Sequence, residues 1–435
     1  MTASGRGSDF LLTRAKKFLE GIPERAFSVR LWDGSLIDPT GSNTMSRFTL
    51  CLNHPAGAAS LLARSSVQTI AEAFIGGLVE VEGDLMAAMR FGETLPPIAG
   101  TGGRLLSALA GLRARVAVAT KPNTARARLS GKRGSEKRAQ AAIDYHYSYP
   151  LEFWRQWLDP SLQYTCAYFL SPEESLEVAQ RRKLDYICRK LRLKPGVRLL
   201  DLGCGWGGLM LYAAREFGAT VVGVTNNEAQ AEYVRALVSR SRMEHQCEVW
   251  KGDIRSARLQ EDYDRVSGVG IIEHMGTALH KEYFQCAWRA LRRGGLFFNQ
   301  GITRSRTHPI GDGRAFMARY IFPDGELVPI DYTLRCAQEC GFELHDVESL
   351  RAHYVLTLKA WLRSLEARAD KVFVITDAAT YRKFRFYLAG CALGFETGQL
   401  NVHQTILAKG TAEPDEIGLS RNEVFETPEL GSVRQ

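Results

Sequence analysis

Residues 197–208, VRLLDLGCGWGG, place one carboxylate, Asp201, at the end of an apolar run and follow it with a turn almost free of side chains. Glycines at 203, 205, 207 and 208 let a backbone turn tightly and approach a ligand closely. The helix that follows offers its unpaired N–H groups to a negative group. Such a turn serves nucleotide-like ligands. A dinucleotide site adds an acid at the end of the second strand for a ribose hydroxyl, but here that stretch reads VVGVTNNEAQ. Polar Thr225, Asn226 and Gln230 stand in place of the acid, and Lys251-Gly252-Asp253 supplies a carboxylate later.

These residues need strands to carry them. Strand-like runs near 197–202, 219–224, 247–250, 264–271 and 295–302 alternate with helical segments near 173–193, 207–217, 228–242 and 279–291. Strand and helix in that order predict an α/β fold, a doubly wound sheet with helices on both faces. Extra helical stretches follow (YVLTLKAWLRSLEARA and AATYRKFRFYLAGCALGFET), then a last strand, VHQTILAKG. Upstream, residues 26–95 alternate in a β-like way around one helical stretch, SLLARSSVQTIAEAFIG, and predict a small α+β domain. Between Arg113 and Arg138 nine Lys or Arg residues face only Glu136, so this segment nets +8, the charge of the whole chain. The expected organisation is therefore a docking or assembly domain at 1–111, a basic flexible linker at 112–140, a catalytic domain at 141–410 and a disordered tail at 411–435.

The totals fit this division. A chain of 435 residues exceeds one ordinary core. It has neither a run of about 20 apolar residues for a membrane span nor the apolar core of a signal peptide. Nine scattered cysteines without CxxC spacing exclude a zinc site and a disulfide framework, and suit a reducing compartment. No metal site is expected.

The Asp-x-Gly-x-Gly turn with the later Lys-Gly-Asp resembles class I S-adenosylmethionine (SAM) methyltransferases. On that resemblance Gly203 and Gly205 pass beneath the methionine and ribose, and Asp253 meets the adenine. With HYSYPLEFWRQWLDPSLQYTCAYF (146–169), GIIEHMG (270–276), RYIFPDGEL (319–327) and HYVLTLKAW (353–361), the chain resembles the cyclopropane-fatty-acyl-phospholipid synthase family from about residue 26 to 410. The resemblance implies that Tyr164 and Thr165 cover SAM and that Gln230 contacts its ribose. It further implies that Cys166, Glu273, Tyr354 and the Ile302 backbone hold a bicarbonate ion as general base. Cys391 matches a C-terminal Cys of some members and reads as packing. The family commonly writes Leu-His-Thr-Ile where this chain has Asn299-Gln300-Gly301-Ile302. Gln300 thus replaces a bicarbonate-contacting His; it donates a hydrogen bond but carries neither charge nor proton. Ser148 and Trp154 also depart from the usual Asp and Tyr.

The implied reaction is methyl transfer to a cis double bond of a phospholipid acyl chain. An alkene is a weak nucleophile, so rate must come from alignment and a dry site. Aromatic faces stabilise the developing cation; Phe169, Phe316, Tyr320, Phe322, Tyr354 and Phe395 serve either as lining of an acyl tunnel or as ordinary core. Proton loss from the new methyl closes a cyclopropane, the product the resemblance implies; loss from a neighbouring chain carbon leaves a methyl-branched alkene, and loss at the methyl without closure a methylene branch, the alternative that Gln300 raises. His274 reads as orienting its turn, and His146 as a gate or a structural hydrogen bond. The partners expected are unsaturated acyl chains, an anionic membrane surface for the basic linker and a second copy of the chain, with no nucleic acid. The location expected is cytoplasmic, peripheral at the inner membrane surface. A nucleic-acid methyltransferase and a non-catalytic lipid binder are the rival readings.

Overall fold

The computed structural model describes residues 12–13, 15–17, 19–22, 25–40, 46–62, 66–94, 127–255, 262–308, 311, 313–410 and 417–425. Residues 112–126 of the expected linker, and 411–416 and 426–435 of the expected tail, lie outside these. Two compact units divide the chain: 1–127 with 310–321 and 361–394, and 128–309 with 322–360 and 395–435.

The first unit carries a four-stranded sheet of β1 (Ser28–Arg30), β2 (Leu36–Ile37), β3 (Phe48–Leu52) and β4 (Val79–Gly83), in the order β2-β1-β3-β4. Alternation decides the buried face: Val79 and Val81 of β4 are buried while Glu80 and Glu82 point away from the core. Two later segments, expected to belong to the catalytic domain, group with this sheet instead. Phe386 lies 5.7 Å from Phe74 and 5.2 Å from Phe316, ring centre to ring centre. Buried Arg385 donates to the carbonyls of Val81 and Gly83 on β4 while pairing with Glu366. These helices supply apolar area and cations that the small sheet lacks, which is why the division departs from a single cut near residue 111.

The second unit is a seven-stranded sheet of β5 (Arg198–Leu202), β6 (Thr220–Thr225), β7 (Cys247–Lys251), β8 (Tyr263–Val269), β9 (Leu291–Arg304), β10 (Phe342–Ser349) and β11 (Leu400–Lys409). Its order is β7-β6-β5-β8-β9-β11-β10. The first five of these strands run parallel, and β11 is antiparallel to both β9 and β10. The helices that matter here are α1 (Glu136–Tyr147), α2 (Leu151–Arg155), α3 (Leu176–Lys190), α4 (Gly208–Phe217), α5 (Glu228–Arg240), α6 (Ile272–Met275) and α7 (His280–Ala290). The period of two sends Leu199 and Phe298 into one hydrophobic cluster and their neighbours Leu200 and Phe297 into the other, on the two faces of the sheet. The unbroken apolar runs are those of strands buried on both faces.

Two differences from the expected organisation concern polar segments. Residues 136–140, expected in the flexible linker, open α1, where Arg138 makes a bidentate pair with Asp324. Residues 417–425, expected in the tail, are ordered: Val424 is buried and the Phe425 ring lies 5.4 Å from Tyr186.

Two close approaches fix the carboxyl ends of the strands. Gly203, which ends β5, has φ +75°, and a Cβ there would lie 2.0 Å from Ile271 Cδ1. A Cβ on Gly301 of β9 would lie 2.5 Å from Ile272 Cγ2. Ile272 is therefore seated directly against the β9 backbone. Gly301→Thr is expected to displace Ile272 and cost about 1–3 kcal/mol through overpacking; thermal unfolding of the two proteins measures it, and an unchanged Tm would mean the contact is soft.

Candidate active site

The glycine turn joins β5 to α4, and Gly207 caps that helix in the left-handed region. Asp201 is buried and accepts from the Ser267 hydroxyl at 2.7 Å; burial pushes its carboxyl up to about 6. At the end of β6 the Thr225 hydroxyl donates to Gln230 Oε1 at 2.8 Å, so that amide points its nitrogen elsewhere. Asn227, beside the expected Asn226, caps α5 by accepting from the Gln230 N–H and donates to Asp144 of α1. Asp253 is held by Arg255 through two hydrogen bonds of 2.8 and 2.6 Å, and Arg255 also donates to the Gly134 carbonyl. A Cβ on Gly205 or Gly252 would meet no atom within 4 Å. Open space at Gly205 and Gly252, with polar groups at the ends of β5, β6 and β7, fits the chemistry of SAM.

The loop carrying Tyr164 and Thr165 is held by groups that sequence reasoning missed. Lys183 of α3 is fully buried and donates to Gln163 Oε1 at 2.5 Å and to the Thr165 hydroxyl at 3.0 Å. Gln180, one turn earlier, donates to the Thr165 carbonyl at 2.8 Å. Asp159 accepts from the Gln163 N–H at 2.8 Å. Burial lowers the Lys183 ammonium to about 8, with the carboxylates of Asp159 and Asp201 opposing the shift. A signal was available in the sequence. Ala179, Lys183 and Ile187 recur every four residues and share the buried face of α3, so a lysine sits where the pattern wants an apolar side chain.

Of the expected bicarbonate set, Glu273 and Ile302 are in direct contact. Glu273 stands on α6, at the end of β8; its Oε1 accepts from the Ile302 N–H at 2.6 Å, while its Oε2 is buried with no hydrogen-bond partner. Burial raises its carboxyl to about 7, against the hydrogen bond from Ile302. The Gly270 N–H donates to the Gln300 carbonyl at 2.9 Å, joining the β8 turn to β9, and the Thr165 methyl lies beside Gly270. Cys166 is fully buried, its thiol pushed well up by burial, with Sγ donating to the Ala167 carbonyl at 3.3 Å. Tyr354 is buried with its ring 4.6 Å from Phe395. The orphaned Glu273 oxygen is an acceptor suited to the O–H of a bicarbonate ion.

The remaining expected residues divide into separate packing groups. Phe322 lies 4.2 Å from His146 and 5.4 Å from His274, ring to ring. His146 stacks parallel on Tyr164 at 5.6 Å, and Trp154 and Trp157 close the same cluster. Burial drives the His274 imidazole down to about 4, so it is neutral near pH 7 and suited to orienting its turn. Phe169 packs with Ala167 and Ala179. Phe316 and Tyr320 belong to the first unit, where the Tyr320 hydroxyl donates to Glu72. Half-buried Cys391 has its thiol raised to about 12 by burial, as an inert packing residue would. Ser148 ends α1 and donates to the Tyr145 carbonyl.

Comparison with known proteins bears on this site directly. Residues 134–405 match the family model for mycolic acid cyclopropane synthetase. A probable fatty acid methyltransferase of Pseudomonas putida is 36 % identical over 389 residues, 88 % of this chain and 92 % of that one. Cyclopropane mycolic acid synthase 1 of Mycobacterium tuberculosis is 34 % identical over 283 residues, 61 % of this chain and 95 % of that one. Among solved structures, mycolic acid cyclopropane synthase CmaA1 complexed with SAH and CTAB superimposes with a TM-score of 0.59 at 33 % identity, over 62 % of this chain and 98 % of that one. With the glycine turn, the strand order and these matches in agreement, the chain belongs to the mycolic acid cyclopropane synthetase family and is a SAM-dependent methyltransferase.

Proposed function

We propose that the protein methylates a cis double bond of an unsaturated fatty acyl chain in a phospholipid and that proton loss then leaves a methyl-branched or methylene product. The observation that carries this reading is Gln300, a neutral amide in place of the family's His, whose carbonyl joins the turn leading to Glu273, a carboxyl of raised pKa. The 36 % relative that spans most of the chain is itself named a probable fatty acid methyltransferase, which supports the same reading.

Bound SAM supplies an electrophilic methyl group on a sulfonium. The residues suited to hold it are Tyr164, Thr165, Gly203, Gly205, Asp201, Thr225, Asn226, Gln230 and Asp253. Attack by the alkene on that methyl would form one C–C bond as the S–CH₃ bond breaks and S-adenosylhomocysteine leaves, with the cation on the other alkene carbon; a 1,2-hydride shift to that carbon before loss of a methyl proton would give the methylene product. Cys166, Glu273, Gln300, Ile302 and Tyr354 are suited to hold a bicarbonate ion, whose chemistry is to accept a proton. Glu273 with a pKa near 7 exchanges a proton readily at neutral pH. Loss of a proton next to the cation is assisted by hyperconjugation, whereas ring closure requires a base aimed at the newly added methyl. Replacing a titratable His by Gln removes one group able to aim it. Cyclopropane closure is the second reading, favoured by the intact Glu273–Ile302 contact and by the cyclopropane synthases among the relatives.

Fatty-acid mass spectrometry on vesicles with cis-monounsaturated chains, incubated with methyl-labelled SAM, separates the two. A gain of one CH₂ with a surviving double bond is expected; the same gain with cyclopropane fragmentation would overturn the branched reading.

Glu273→Gln is expected to abolish turnover, and the unaltered enzyme's rate to rise with pH through about 7 as Glu273 ionises. Stability should move the opposite way. A carboxyl whose folded pKa is raised favours folding below its unfolded pKa and loses that advantage as pH climbs through the folded value. The variant, which does not titrate, should gain on the native chain between pH 5 and 8, by an amount on the order of 3 kcal/mol. Thermal unfolding at the two pH values checks this, and a gap independent of pH would remove Glu273 as a buried titrating group.

Membrane docking through the basic segment is part of the same proposal. No helix among the described residues is long and apolar enough to cross a bilayer. Arg128 and Lys132 are exposed, whereas Arg138 is committed to Asp324. Neutralising Arg126, Arg128 and Lys132 should weaken sedimentation with anionic vesicles and leave SAM affinity unchanged; undiminished sedimentation would dismiss the contact.

A further inference from the structure

The register of the sheet lines up three polar side chains in one row. Gln300 of β9 faces Gln404 of β11, and Gln404 faces Glu348 of β10. Lys190, at the end of α3, lies against this row: its Nζ donates to Gln404 Oε1 at 2.6 Å and pairs with Glu348. Gln404 Nε2 donates to Gln300 Oε1 at 2.9 Å, and the Tyr168 hydroxyl donates to Glu348 at 2.8 Å. Lys190, Gln300 and Gln404 are all at least 95 % buried.

The cation dictates the sense of every bond in the row. An ammonium has donors only, so Gln404 must turn its carbonyl oxygen to Lys190 and its NH₂ to Gln300. Gln300 must answer with its own carbonyl oxygen. Its NH₂ is then left as the end directed away from the row. An amide free to rotate would present donor or acceptor with little preference, and flipping it here would set two NH₂ groups against each other in a buried place.

We propose that Lys190 and Gln404 are positioning residues that lock the Gln300 amide with its NH₂ presented to the buried oxyanion site formed with Cys166 and Glu273. The proposal rests on the reading of Gln300 as part of that site. It explains how a residue without charge serves an anion: the polarity comes from Lys190, relayed through two amides. The same lock makes Gln300 a donor only, unable to take up a proton, so Glu273 is left as the titrating partner of the set.

The test is a ¹³C-bicarbonate titration followed by NMR on the full chain loaded with S-adenosylhomocysteine, with S-adenosylhomocysteine affinity measured in parallel. Gln404→Glu accepts from Lys190 and from Gln300 alike, forcing the Gln300 amide to turn its carbonyl to the anion. At least tenfold weaker bicarbonate binding is expected, with unchanged S-adenosylhomocysteine affinity. Gln404→Leu releases the amide without reversing it and should weaken binding about threefold. Gln300→His in the Gln404→Glu background should restore binding at pH 6, because an imidazolium donates on both sides.

The order of the variants is what tests polarity. If Gln404→Leu is as weak as Gln404→Glu, or if S-adenosylhomocysteine affinity falls in step, the row is merely structural and the proposal is wrong. If Gln300→Leu loses bicarbonate while both Gln404 variants bind it as the native chain does, the relay fails and the site stands. If the native chain does not bind bicarbonate, or Gln300→Leu binds it equally well, the site reading fails and the relay with it.

Discussion

A buried carboxyl group must either find hydrogen-bond donors or stay protonated, and Glu273 does some of each. Its Oε1 takes the Ile302 N–H at 2.6 Å, which fastens α6, just after β8, to the carboxyl end of β9, while its Oε2 has no partner and its pKa sits near 7. Most of the site is organised around that arrangement. The Gly270 N–H on the Gln300 carbonyl runs parallel to the same junction, and Thr165, from the loop that Lys183 holds down, rests on Gly270. The cofactor loop, the acid and the amide are therefore coupled through one strand junction rather than placed independently.

Strands and helices of the second unit were legible because their residues answer to one rule each. Runs such as VRLLDL and VVGV are apolar on both faces, and the observed strands Arg198–Leu202 and Thr220–Thr225 begin within a residue of the runs. What escaped reading obeys two rules at once. β10, FELHDVES, is an edge strand whose alternating charges resemble a surface loop. The helix of residues 136–147 is mostly polar and begins inside a run of basic residues that suggested a solvated linker; its anchor, Asp324, lies nearly two hundred residues away. The two lysines of α3 were hidden for a similar reason. A lysine at a helical position normally marks the wet face, and only the spacing of Ala179, Lys183 and Ile187 reveals that this one is inside. Gln404 has no local signal at all, because its partner Gln300 is fixed by strand register.

The chain handles its excess positive charge in two ways. Arg138 and Arg255 are turned inward to Asp324, Asp253 and the Gly134 carbonyl, where they tie segments together, while exposed Arg133 reaches Glu326 from the surface. Asp324 itself adopts φ +64°, a conformation a non-glycine residue holds only when its surroundings over-determine it, and the bidentate Arg138 contact is one such restraint. Arg128, Lys132 and Lys137 remain exposed. The paired arginines are cancelled by their own acids within the net charge of +8, so the exposed residues carry the basic surface that an anionic partner meets.

Gly301 ties the departure at Gln300 to a second position. Ile272 occupies the space a Cβ at 301 would need. Gln300 can therefore be exchanged for His without touching that contact, whereas restoring Thr beside it pushes on Ile272, the residue next to Glu273, so the two halves of the Gln-Gly departure carry different costs in packing.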